Sequence, residues 1–199
     1  MVAALTFDDG PDARWTPRVL DALAQAGAVA TFFVMTGRAT RHPGLLERAR
    51  AEGHAVEFHC LRHERHTEIS RESAEQDTDA GLSALGELGV EARRWRPPWG
   101  ALAPWTGELA RSHSLELTGW TLDTEDWAGH SAPRMLEAIR PGLEHDPVVL
   151  MHDGIGPGAT RDGCAETADL VAPLVRALRA AGSDPAPLGD RTVPVPWPR

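Results

Sequence analysis

Short apolar runs alternate with longer amphipathic stretches along most of this chain. Val2 to Phe7, Ala28 to Val34, Ala55 to Phe58, Ala92 to Arg96, Leu115 to Leu122 and Val148 to Met151 each read as a strand. The runs are continuous rather than alternating in polarity, the pattern of strands buried on both faces. Between them the period lengthens to that of helices. Thr16-Pro17 reads as an N-cap followed by proline at the first helical position, with the helix continuing from Arg18 to Ala26 and stopping at Gly27. Pro43 to Glu52 is a second helix, stopped by Gly53. Ser70 caps a long third, with Ala74, Leu82, Leu85 and Leu88 on its apolar side and Gly89 at its end. Pro104 to Ser112, a helix opened by Ser131-Ala132-Pro133, and Glu166 to Ala181 complete the set. The tail from Ser183 is proline-rich and predicts an irregular strap or an edge strand around Thr192-Val193.

Strand-helix alternation of this kind predicts a parallel sheet, either a small barrel or an open doubly wound sheet. One regularity favours a (β/α) barrel of six or seven strands. Asp8 and Asp9, His59 and His63, Arg96, Asp126 and His152 all fall just after the end of an apolar run. In a barrel those ends converge on one mouth. The 199 residues predict a single domain.

Composition narrows the functional classes. The formal charge is −9 and the pI about 5.4, which argues against nucleic acid or an anionic membrane as partner. All 20 basic residues are arginine, which excludes a lysine Schiff base. Cys60 and Cys164 are too few for a disulfide framework. No apolar run reaches the ~20 residues of a membrane span. The chain enters a strand almost at once without a signal peptide, so the expected location is the cytoplasm.

Two adjacent carboxylates end the first run, at Thr6-Phe7-Asp8-Asp9-Gly10. They could cap a turn. They could equally divide labour, one binding a metal and the other staying free as a base. His59 and His63 are four apart, a spacing that on one helical turn puts both imidazoles on one side. With Asp9 they make a two-histidine, one-carboxylate set that leaves positions open and suits catalytic Zn²⁺, with Fe²⁺, Co²⁺ or Ni²⁺ as alternatives. Asp8 is then the candidate base, His152 the candidate acid for a leaving group, and Arg96 the side chain that could hold Asp8. Their plainer readings are a loop histidine and a surface arginine.

Taken in order, Thr6-Phe7-Asp8-Asp9-Gly10, His59-x-x-x-His63, Arg96-Pro97-Pro98-Trp99-Gly100, Asp123-x-x-Asp126-Trp127 and Val148 to His152 resemble the five motifs of the NodB-type polysaccharide deacetylases, carbohydrate esterase family 4. Ala30-Thr31-Phe32-Phe33-Val34 with Gly37 is similar to that family's second strand. The resemblance spans about residues 3–180. It implies a distorted (β/α) barrel and metal-dependent removal of acetyl from N-acetylated sugars. By residue, it implies Asp8 as base, Asp9, His59 and His63 as metal ligands, and Arg96 orienting the base. It implies Asp126 as a carboxylate pairing with that arginine, Trp127 as a groove wall, Leu150 as lining of the acetyl pocket, and His152 as general acid. The Trp99 backbone N–H falls where the family completes its oxyanion hole.

The departures are Cys60, where the family usually has Ser or Thr, Trp99 in place of Tyr or Phe, and a long glycine-rich loop from Asp153 to Cys164. Cys60 reads as a small buried residue rather than a fourth ligand. Arg161 and Asp162 read as substrate contacts or as a solvated turn. Trp99, Trp127 and Trp105 could stack on a sugar or fill the core. The expected substrate is a small, soluble N-acetylated carbohydrate. Deformylation or cleavage of another amide by the same machinery, and a non-catalytic carbohydrate-binding relative, are the rival readings.

Overall fold

The structure, a computed structural model, describes residues 2–189, 193 and 195. In chain order its elements are β1 (Val2–Asp8), α1 (Thr16–Ala26), β2 (Thr31–Met35), α2 (Thr36–Ala39), α3 (Pro43–Ala51), β3 (Ala55–Cys60), α4 (Arg71–Glu87), β4 (Arg94–Trp95), α5 (Thr106–Ser112), β5 (Glu116–Leu117), β6 (Leu122–Asp123), α6 (Ala132–Ile139), β7 (Val148–His152), α7 (Ala165–Ala180) and β8 (Asp184–Pro185). The strands lie in the order β5-β4-β3-β2-β1-β7-β6, with β8 added beside the start of β1, and each described pairing is parallel. This is the curled (β/α) barrel expected from the pattern of runs.

Period-two alternation in β1 sorts its side chains between two cores. Ala3, Leu5 and Phe7 join the large cluster shared with α1, α6 and α7. Ala4 instead joins a small cluster with Phe33, Val148, Leu188 and Val193, against which Trp120 packs. By the same alternation Thr6 and Asp8 share the face of Ala4, so the strand carries its first carboxylate into the barrel at its C-terminal end.

Some helix ends follow local rules and others do not. Gly27 is left-handed (φ 59°), and the Gly27 and Ala28 amides bond back to Ala24 and Leu23, closing α1. Ser70 caps α4 through the Ser73 N–H at 3.1 Å. Thr16 is not the cap of α1. Its hydroxyl accepts from the Asp12 N–H and donates to Asp153 instead.

The single strand expected from Leu115 to Leu122 is two short strands. The chain turns a corner at residues 118–121, and its backbone donors change partner one after another. Thr118 N–H bonds to Trp95, Gly119 N–H to Val193, and Thr121 N–H to Val148. The corner therefore carries the chain from β4 to β7 and draws the two outer edges of the sheet together. Val193 is buried there without strand pairing; Thr192, the other residue of the expected edge strand, lies outside the described residues.

Candidate active site and metal centre

Asp8 and Asp9 are separated by a backbone reversal. Asp9 has φ 72°, a left-handed conformation that aspartate tolerates better than most residues. Asp8 stays on the barrel face, where Arg96 Nη1 donates to its Oδ1 at 2.8 Å and to Thr6 Oγ1 at 2.8 Å. Arg96 is 0 % exposed. A buried guanidinium needs its donors satisfied, and the corner at 118–121 supplies two more acceptors: Nε donates to Thr118 O at 3.3 Å and Nη2 to Gly119 O at 2.8 Å. Phe33 lies under the guanidinium at 4.1 Å.

Asp9, His59 and His63 bring one ligand atom each to within 4.8 Å of one another. His59 belongs to β3 and His63 follows a bend, so the pair is not on a helical turn as its spacing suggested. The strand end and the bend bring the rings together, with centroids 5.1 Å apart. His59 Nδ1 lies 2.6 Å from the Arg96 carbonyl. A carbonyl only accepts, so Nδ1 carries the proton and Nε2 presents a lone pair. That Nε2 lies 3.3 Å from Asp9 Oδ1, and His63 Nε2 lies 3.2 Å from the same oxygen. Asp9 Oδ1 and His59 Nε2 are buried without a hydrogen-bond partner. Orphaned buried acceptors around one point suit a cation, and two nitrogens with one carboxylate oxygen fit a zinc-type ion. Burial opposes ionisation of Asp9, but the imidazoles of His59 and His63 and the charge on His152 outweigh it and hold the carboxyl well below its usual range. Burial lowers His63, favouring the neutral ring that a metal ligand requires.

Asp126 was expected beside Arg96. It pairs with His152 instead. Its Oδ1 meets His152 Nδ1 at 2.7 Å and its Oδ2 accepts the His152 backbone N–H at 2.9 Å. Four of the five Arg96 N–H donors already go to Asp8, Thr6 and the two corner carbonyls. Arg161 Nη1 and Thr167 Oγ1 also donate to Asp126 Oδ2, at 2.8 and 2.7 Å. Burial alone would raise Asp126, yet His152, Arg161 and Thr167 hold it at about 2. Burial alone would lower His152, yet the charge and hydrogen bond of Asp126 raise it to about 9. The imidazole is therefore a proton carrier held by a carboxylate that stays charged.

A cavity of about 350 Å³ opens over the site. Asp8, Asp9, His59, His63 and His152 line it, together with Trp99, Trp127 and Leu150. Trp99 and Trp127 remain 36 % and 37 % exposed and form its rim. Trp105 is not part of it; that ring packs on the large core and lies 5.2 Å from His66. Cys60 is buried beside the site, and burial first, then the Asp9 charge, pushes its thiol well up, so it acts as a small apolar residue. Cys164 is likewise buried, its thiol pushed up to about 12.

The glycine-rich loop after His152 packs on the site at Asp153, Gly154 and Gly156, lines the cavity from Gly156 to Ala159, and is exposed at Pro157, Gly158, Thr160 and Asp162. Arg161 is neither a substrate contact nor a solvated turn: besides Asp126 it binds Thr167 Oγ1 at 2.6 Å and the carbonyls of His152 and Gly154 at 3.1 and 3.3 Å. A Cβ on Gly156 would sit 2.1 Å from Asp9 Oδ2, so only glycine lets the loop rest on that carboxylate. Arg38 ties the Asp9 carbonyl to the Ile155 carbonyl at 3.0 and 2.8 Å. Asp153, unremarked in the sequence, is buried beneath the site with Thr16 Oγ1 2.5 Å from its Oδ2. The signal for Asp153 was its place next to His152 at a strand end. Arg161 and Arg38 had no comparable signal, because Asp126 for the one and Asp9 and Ile155 for the other lie far away in the chain.

Residues 1–118 match the family model described as polysaccharide deacetylase. A chitooligosaccharide deacetylase of Rhizobium leguminosarum bv. trifolii is 34% identical over 159 residues, which is 77% of this chain and 72% of that protein. A peptidoglycan-N-acetylglucosamine deacetylase of Listeria monocytogenes is 36% identical over 151 residues, 75% of this chain. The aligned part is 32% of the Listeria protein, so the chain spans about a third of that relative's length. A solved peptidoglycan N-acetylglucosamine deacetylase, in complex with 4-naphthalen-1-yl-N-oxidanyl-benzamide, superposes with a TM-score of 0.86 at 26% identity. The superposition covers 98% of this chain and 89% of that one.

Proposed function

The chain belongs to the polysaccharide deacetylase family, and on that premise we propose that it removes acetyl from the nitrogen of an N-acetylated sugar, using a divalent cation held by Asp9, His59 and His63. Zn²⁺ is the ion this donor set suits best. When bound, the ion supplies Lewis acidity toward the acetyl carbonyl and lowers the pKa of a water beside it.

The chain's own groups then do the rest. Asp8, held through Oδ1 by Arg96, is the base that takes the proton from the attacking water. The Trp99 backbone N–H donates to the oxygen on which charge develops. His152, protonated and held by Asp126, passes its Nε2 proton to the departing amine. Leu150 covers the acetyl methyl, and Trp127 walls the groove that holds the sugar.

The observation that carries this reading is the meeting of two opposed, separately anchored groups in one cavity. Asp8 rests on an arginine and His152 rests on a carboxylate, with the three candidate ligands beside them. An anchored proton acceptor and an anchored proton donor thus face one cavity, as acid-base hydrolysis requires.

The test is metal analysis of the purified chain together with acetate release from soluble N-acetylglucosamine oligomers. One bound divalent ion and acetate release, both lost in Asp9→Ala, are expected. Acetate release undiminished in Asp9→Ala sinks the proposal. Formylated oligomers and polymeric chitin or peptidoglycan, run beside the acetylated oligomers, decide the acyl group and whether the substrate is a short soluble sugar, as we propose.

A further inference from the structure

We propose that the groove takes an N-acetylated sugar bearing an acidic group close to the acetamide, and that Arg65 recognises the acid. The inference rests on the deacetylase reading and narrows its substrate. Trp99 meets His63 edge-on, with centroids 4.2 Å apart. The Arg65 guanidinium lies over the Trp99 ring, 4.1 Å from its centroid. A wall that would offer a sugar a bare aromatic face offers it a fixed cation.

That cation has donors to spare. Its carboxylate neighbour is Glu68, whose Oε1 lies 3.6 Å from Nε and whose side chain is 70% exposed. Among the described residues Arg65 donates no side-chain hydrogen bond. It nevertheless lines the same cavity as Asp8, Asp9 and His152. Asp8, Asp9 and Asp123 also line that cavity, and Arg65 supplies the guanidinium of the lining. From the candidate ligand His63 to the guanidinium is two short steps, 4.2 and 4.1 Å. The acid therefore belongs on the reacting sugar or its immediate neighbour. Carboxylate and phosphate both match a guanidinium with free Nη donors.

Dissociation constants from stopped-flow tryptophan quenching, read before turnover on the metal-loaded chain, test this. The probes are N-acetylmuramic acid against its methyl ester, and N-acetylglucosamine 6-phosphate against N-acetylglucosamine. At low ionic strength at least one acid should bind about tenfold more tightly than its neutral partner, and added salt should narrow the gap. Arg65→Gln should abolish the gap and Arg65→Lys keep most of it. The acid that shows the gap identifies the source of the charge. Equal binding of acids and neutral partners by the wild type overturns the proposal, as does a gap that survives Arg65→Gln. So does equal weakening of both forms in that variant, since Arg65 would then serve only to brace Trp99. A gap without acetate release would count against the deacetylase reading and leave Arg65 as an anion site.

Discussion

Asp126 holds His152 at two points, the imidazole through Oδ1 and the backbone N–H through Oδ2, at 2.7 and 2.9 Å. The ring can neither turn nor withdraw without breaking a charge-assisted bond. Removing the charge while keeping the shape, as in Asp126→Asn, should lower the His152 pKa from about 9. His152 would then lose its proton at lower pH, so the alkaline limb of the pH–rate profile should move acidward. The rate should fall by roughly 10- to 100-fold. An alkaline limb that stays in place in the variant would separate Asp126 from the acid.

Arg161 neutralises the far side of the same carboxylate from inside the loop. Arg161→Gln leaves Asp126 buried with less compensation and cuts the loop from the carbonyls of His152 and Gly154. A loss on the order of 3 kcal/mol is expected from breaking a buried pair, read as a lower urea midpoint. The Asp126 carboxyl should also move up from about 2, so the variant should unfold at higher pH on acid titration. A variant as stable as wild type would make Arg161 dispensable.

Gly156 rests on the outer oxygen of Asp9. Gly156→Ala places a methyl where that oxygen lies, so the carboxylate or the loop must shift. Metal affinity, measured by competition with a chromogenic chelator, should fall by about 10- to 100-fold, the usual cost of disturbing a ligand's support. Unchanged affinity would mean that the loop yields instead.

Asp153 gives the fold a pH dependence of its own. Burial, with Asp9 and Asp8 nearby, pushes its carboxyl up to about 7 against the hydrogen bond from Thr16. A folded-state pKa above the unfolded one means the proton is held more tightly in the fold. The stabilisation is complete below about 4 and is lost as pH rises through 7, a change on the order of 4 kcal/mol. Asp153→Asn has no such proton to lose. Its urea midpoint should fall less between about pH 5 and pH 8 than that of the wild type; parallel curves would contradict the assignment.

The local half of this site was legible in the sequence. Asp8, Asp9, His59, Arg96 and His152 stand at ends of apolar runs, and parallel strands in a barrel must bring such ends together. Ser70 and Gly27 announced the helix boundaries they form. What failed depended on partners distant in the chain. Nothing near Asp126 says whether it faces Arg96 or His152; Arg96 is engaged by a corner 22 and 23 residues away, and the partner of Asp126 lies 26 residues on. The corner itself was hidden inside an apolar run, because Thr118 to Thr121 reads as strand until the partners on either side are known. Arg161 looked like any loop arginine because Asp126 lies 35 residues from it.

Arg96 joins the two carbonyls of that corner to the carboxylate of Asp8. The side chain that seals the barrel at its seam is therefore the one that aims the base. No conformation can open the seam and keep an armed site, so an unfolding intermediate with a parted barrel is inert from the outset. Catalytic activity then serves as a gauge of barrel closure: under denaturant, it should vanish with the first parting of the seam, ahead of the helices that surround it.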